Sequence, residues 1–312
     1  MPDETEPLWK TARMSVFTPG IRRRMNVIPI VFFIFVPWLT FSFFLWLFAF
    51  SVFHYHPGIT TGFLCFGILV WLMLLAYHYT SYKGDLNPSW LKMAILMFAL
   101  AMFGGSLFGW FIYQTESSIY FSNQDLLSYP NVNPFLQKGA DLIDAGRVNF
   151  AEGSHLDMDK SWHFKHHTLW CVTPIVNSNP NAPSTGSYDF WAVGTDCCSV
   201  SSSDFRCGAF QDAGARSGLR ALREGDQQNY LLAVQQAETM YDIVASNPVF
   251  FYWTRDPLFD VTLHLTRARQ LFTLGLVSSL FFFLCMVLVA TGCFALIARR
   301  PVESLTKTPP II

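Results

Sequence analysis

The sequence predicts a membrane protein: a four-transmembrane-helix bundle with a large α+β disulfide-bonded extracytoplasmic loop between helices 3 and 4. Three observations lead there. Of 312 residues, 52% are hydrophobic, 17% aromatic and only 14% charged, a balance outside that of ordinary soluble domains. Four stretches are long and apolar enough to cross a hydrocarbon core of about 30 Å, which takes about 20 residues at helical rise. Four of the seven cysteines, Cys171, Cys197, Cys198 and Cys207, crowd into the segment between the third and fourth stretches.

Taken in order, residues 1–26 read as a cytosolic N-terminal tail. Its polar lead and the apolar stretch after it are both too long for a secretory signal, and Asp3, Glu4 and Glu6 disfavour a mitochondrial presequence. Transmembrane helix 1 is expected over 27–53, with Pro29 and Pro37 bending it rather than ending it. A short outer loop, 54–60, precedes helix 2 over 61–78. A cytosolic loop, 79–90, precedes helix 3 over 91–113. Residues 114–270 form the extracytoplasmic domain, 271–298 helix 4, and 299–312 a cytosolic C-terminal tail. Apart from Lys92 at the start of the third, no span holds an Asp, Glu, Lys or Arg. Unpaired backbone groups cannot be left in lipid, so such spans must be helical.

Orientation follows from basic residues near the helix ends, which stay on the cytoplasmic side. Lys10, Arg13, Arg22, Arg23, Arg24, Lys83, Arg299, Arg300 and Lys307 all fall on one side of this topology, and Arg255, Arg267 and Arg269 go against it. The large loop is therefore expected outside and the termini in the cytosol, in the plasma membrane or an endomembrane. The cysteines agree, because disulfides persist in oxidising compartments. Bridging the neighbours Cys197 and Cys198 would strain a small ring, so each is expected to pair with Cys171 or Cys207, leaving two connectivities open. A four-thiolate zinc site lacks the usual Cys-x-x-Cys spacing.

Within the loop, Thr168–Val176 and Tyr188–Thr195 are rich in β-branched and aromatic residues and read as two strands joined by a flexible turn. From Asp226 to Ser246 apolar residues recur at three and four, predicting an amphipathic helix capped by Asp226, stopped at Asn247-Pro248, and covering the sheet.

Chemical signatures are sparse. His155, Asp157, Asp159, His163, His166 and His167 form the densest group of potential metal ligands, with His163 and His166 or His167 able to face one ion from a single helical turn. The plainer expectation is a solvated stretch, and no cofactor is predicted. There is no G-x-S-x-G elbow, phosphate loop or dinucleotide fingerprint, so an enzyme is not the leading expectation. A net charge of −1 without a basic face excludes nucleic acid as a partner. A transporter or channel component is one alternative reading, with His78 and Pro37 its only candidate features in the spans, and an ectodomain metal-binding protein or enzyme is the other. Ala101, Gly105 and Gly109 in helix 3, with Gly275 and Ser279 in helix 4, form small-residue stripes suited to close helix packing within the bundle or to self-association.

Four helices, cytosolic termini, a small first outer loop and a large second one containing the adjacent pair Cys197-Cys198 together resemble the layout of a tetraspanin. Ser199 stands where that family's Cys-Cys-Gly hallmark has glycine, and Cys207-Gly208 follows. The resemblance covers the chain at the level of topology. It implies a non-enzymatic organiser whose outer loop binds other membrane proteins laterally, with Cys197 and Cys198 as structural bridge members. The function expected is thus that of an organiser, adaptor or receptor-like subunit, set in a lipid bilayer and acting through protein contacts.

Overall fold

The computed structural model describes residues 27–83, 89–178, 187–200 and 204–298. The tails 1–26 and 299–312, with Arg22, Arg23, Arg24, Arg299 and Arg300, lie outside the described residues, as does part of the 79–90 connection and of the turn expected before Tyr188. The chain divides into two compact units, one of residues up to Tyr113 together with those from Arg269 onward, the other Gln114–Ala268.

Four helical segments are long and apolar enough to cross a membrane: Ile30–Ala49, Pro57–Thr80, Leu91–Gln124 and Pro257–Cys293. Their ends differ from those expected. The first stretch is not one helix over 27–53: α1 (Val27–Ala49) runs through Pro37, Phe50 turns extended and breaks the hydrogen-bond ladder, and α2 (Ser51–Tyr55) follows. The connection expected over 54–60 shrinks to His56, because Pro57 opens α3 (Pro57–Lys83), where its missing N–H costs nothing. α4 (Ser89–Ile112) continues past the expected end through a π-helical turn, Tyr113–Ser117, into α5 (Ser118–Gln124). Polar side chains such as Gln114 and Glu116 mark the end of an apolar run without ending a helix.

α1 and α4 pack most extensively. On one side Leu64 and Ile68 of α3 join Phe44, Phe48 and Met102. On another, Phe283 and Val287 of the last helix join Met97 and Ala101.

The second unit is built on one eight-stranded sheet rather than the two strands expected. Its strands are β1 (Leu127–Val132), β2 (Ala145–Phe150), β3 (Ser154–Leu156), β4 (Trp162–His166), β5 (Thr168–Asn177), β6 (Phe190–Thr195), β7 (Ser217–Arg220) and β8 (Val249–Thr254). They lie in the order β1-β2-β7-β8-β6-β5-β3, with β4 also pairing to β5. β1 with β2 and β6 with β8 are parallel, and the remaining pairs are antiparallel.

The central strands read as unbroken apolar runs because both of their faces are covered. Alternation sends Leu169, Cys171, Phe190, Ala192, Val249, Phe251 and Trp253 to one face, under the cystine-bearing loop with Phe205 and Ala215. It sends Trp170, Val172, Trp191, Val193 and Phe250 to the other, under Tyr230, Ala233, Val234 and Ala237 of α6 (Glu224–Tyr241). α6 thus covers the sheet as its periodicity requires, with shifted ends. Arg223, not Asp226, occupies the N-cap, and Asp242 stops the helix in a left-handed conformation at φ 52° before Asn247-Pro248 is reached. The last helix, α7 (Pro257–Ala298), begins well before the expected residue 271. Asp256 Oδ1 accepts the Leu258 and Phe259 N–H groups at 3.0 and 3.1 Å, and Pro257 holds the first helical position. Hydropathy registers only the apolar part of such a helix.

Candidate functional site

The adjacent cysteines pair outward in opposite directions. Cys171 on β5 joins Cys198, with Cα atoms 5.9 Å apart, and Cys197 joins Cys207 at 5.2 Å. This is one of the two open connectivities, with Cys171 on the face of β5 that the cystine-bearing loop covers. Gly194, opposite Cys171 on β6, makes the arrangement possible. A Cβ there would come within 2.6 Å of Cys207 Sγ and 2.7 Å of Cys197 Sγ. The sulfurs of Cys171, Cys197 and Cys207 lie within 4.8 Å of one another, but each is held in a cystine and offers no thiolate to a metal.

The histidine run is strand, not helix. His163 and His166 both lie on β4, three residues apart, so the strand period points them to opposite faces. His166 and His167 are neighbours, with ring centroids 4.9 Å apart, while His163 stacks on Trp162. His155 sits on β3, where Nδ1 meets Gly153 O and Ser178 Oγ, both at 3.1 Å. Among the described residues the four histidines do not come together as a ligand set.

The small-residue stripe of α4 meets α1. Ala101, Gly105 and Gly109 are buried, and a Cβ on Gly105 would stand 2.6 Å from the Phe41 carbonyl oxygen. Gly275 and Ser279 are also buried, Gly275 beneath the Phe108 ring. Trp38 Nε1 donates to Leu276 O at 2.9 Å beside them.

Three features of the sheet unit had no sequence signal. Asp189 is a buried carboxylate that accepts from the Gly139, Ser246 and Asn247 N–H groups and the Ser187 hydroxyl, at 2.9, 3.1, 3.3 and 2.5 Å. Those four donors satisfy the charge and tie three loops to the start of β6, a structural lock. Glu116 Oε2, in the π-helical turn, pairs with His264 Nδ1 of α7 at 2.7 Å.

The third feature is a cleft of about 440 Å³ between the sheet and the start of α7. Ser128, Arg147 and Asn149 form its floor; Arg255, Asp256, Pro257 and Leu258 form its wall. Register explains the floor. Ser128 pairs across to Arg147, and Asn149 to Ser217, which in turn pairs to Thr254, so their polar side chains share one face. Ser217 Oγ donates to Asn149 Oδ1 at 2.7 Å, and Thr254 Oγ1 donates to Asp260 Oδ2. Polar residues at alternate positions of short strands look like loop in a sequence, so this face had no legible signal.

The outward face of α6 is also unusual. From Gln228 to Tyr241 its only charged residue is Glu238, whose Oε1 accepts the Ala245 N–H at 2.6 Å. Leu231, Leu232 and Met240 are 38, 43 and 61% exposed. No protein-family model matches this chain, and no curated protein or solved structure matches it.

Proposed function

We propose that this is an integral membrane protein that acts through contacts of its sheet unit with other membrane proteins, as an organiser, adaptor or receptor-like subunit. The bilayer location is supported by the four apolar helices, whose outward side chains, such as Phe66, Leu69 and Met73 on α3, are exposed and apolar. The basic-residue count and the two cystines support a sheet unit outside the cytosol, with the tetraspanin-like layout the sequence suggests.

The observation that carries the contact reading is the outward face of α6. Solvated helix faces are ordinarily charged, whereas the cores of protein interfaces are depleted of charge and retain large apolar side chains. α6 shows the second pattern.

The test is a Leu232→Glu, Met240→Glu double variant in the full chain. Native membranes would be extracted in mild detergent and co-purifying membrane proteins quantified against wild type. The expected result is loss of stoichiometric partners with helix content and both cystines intact. An unchanged partner set, or no partner for wild type, would overturn the proposal.

A further inference from the structure

The polar cleft of the sheet unit carries a separate inference. Its central group is Arg147. Among the described residues this guanidinium makes no ion pair or side-chain hydrogen bond, and its Nε is buried from solvent. An atom enclosed this far is out of a ligand's reach, so it is the terminal amino groups of the guanidinium, lining the cleft without a protein partner, that are left for a ligand or an ordered water to match.

The surroundings say what kind of ligand. Arg147 stands between Ser128 and Asn149 on the floor, and Asn149 uses its Oδ1 on Ser217, which leaves its amide hydrogens for the cleft. Arg255 stands at the rim, held at 3.4 Å by Asp212. The α7 N-terminus does not supply the anion affinity, because Asp256 already caps it. What remains is a planar guanidinium fork flanked by a hydroxyl, an amide and a second guanidinium. That set of donors suits the several oxygens of a phosphate better than the two of a carboxylate. Asp256 on the wall disfavours highly charged polyanions. The cleft volume of about 440 Å³ falls in the small-molecule range of roughly 300–1,000 Å³.

We propose that this cleft binds a phosphate ester, with Arg147 as the anchoring residue. A free phosphomonoester and a phospholipid headgroup share that chemistry. The test uses the full chain in two arms. In the first, protein in a neutral sugar detergent is titrated with inorganic phosphate and glycerol 3-phosphate by calorimetry and by thermal shift. In the second, it is reconstituted in digalactosyl diglyceride vesicles with or without phosphatidic acid, and unfolding is compared.

Saturable binding is expected in at least one arm, the first identifying a free ester and the second a headgroup. Arg147→Met should weaken it at least about tenfold, as loss of a charge-assisted contact does, and Arg147→Lys should fall between. Should Arg147→Met fail to fold, Ser128→Ala, on the exposed edge strand β1, should still weaken binding measurably. Saturation in neither arm, water being then the only occupant, would overturn the proposal. So would equal affinity in wild type and these variants, since simple surface attraction would then account for the signal.

Discussion

Tyr230 shows how far one buried side chain can couple the sheet unit to pH. It is fully buried on the sheet-facing side of α6, against Trp170 and Phe250. Burial, and then the nearby Tyr252 and Asp226, push its phenol far above the ordinary tyrosine value. The folded state therefore holds this proton more tightly than the unfolded chain. Its contribution to stability is complete below the unfolded value near about 10 and is lost as pH rises above it. Denaturant unfolding of the full chain should show stability falling from about pH 10 upward. Tyr230→Phe should flatten that alkaline decline, and equal declines in both proteins would refute the assignment. Buried aromatic positions of α6 were legible from its period of three and four. Asp189 was not, because one acid at the start of an apolar strand gives no sign that four donors will converge on it.

Helix packing offers a sharper contrast at the level of elements. In α4, Gly104 and Gly105 are adjacent and both helical, so an alanine brings each the same propensity gain of up to about 1 kcal/mol. Their surroundings differ. A Cβ at Gly104 meets the Phe41 ring at an ordinary 3.5 Å, while one at Gly105 meets the Phe41 carbonyl oxygen at 2.6 Å. Backbone cannot yield as a side chain does, and overpacking costs about 1–3 kcal/mol. Gly104→Ala should leave the thermal midpoint in detergent unchanged or higher, and Gly105→Ala should lower it. A rise for both would mean that α1 and α4 are not in close contact. The stripe itself was readable in sequence, but that α1 is what meets Gly105 was not.

The whole molecule consists of two compact units with different sources of stability. One rests on apolar helix packing, the other on a sheet covered by α6 and a cystine-tied loop. By loop entropy, the Cys171–Cys198 bridge, with a separation of 27 residues, contributes about 3.5 kcal/mol, and Cys197–Cys207, with a separation of 10, about 2.7 kcal/mol. Calorimetry of the full chain should therefore resolve two transitions. Cys197→Ser with Cys207→Ser should lower only the one that belongs to the sheet unit. A single transition, or equal shifts in two, would show that the units unfold together.

By itself the sequence determined the four apolar helices, the amphipathic α6, the clustering of the cysteines and the stretch of chain, between the third and fourth apolar helices, that holds the sheet. Each depends on neighbouring residues: length and apolarity suffice for a span, and a period of 3.6 for a helix face. Only the tertiary structure decided the eight-strand order, the choice between two cystine connectivities, the separation of the histidines and the cleft around Arg147. These depend on which distant segments pair and in what register. A strand as short and polar as β2 or β7 acquires its identity from partners, and its side chains acquire a common face only when those partners align.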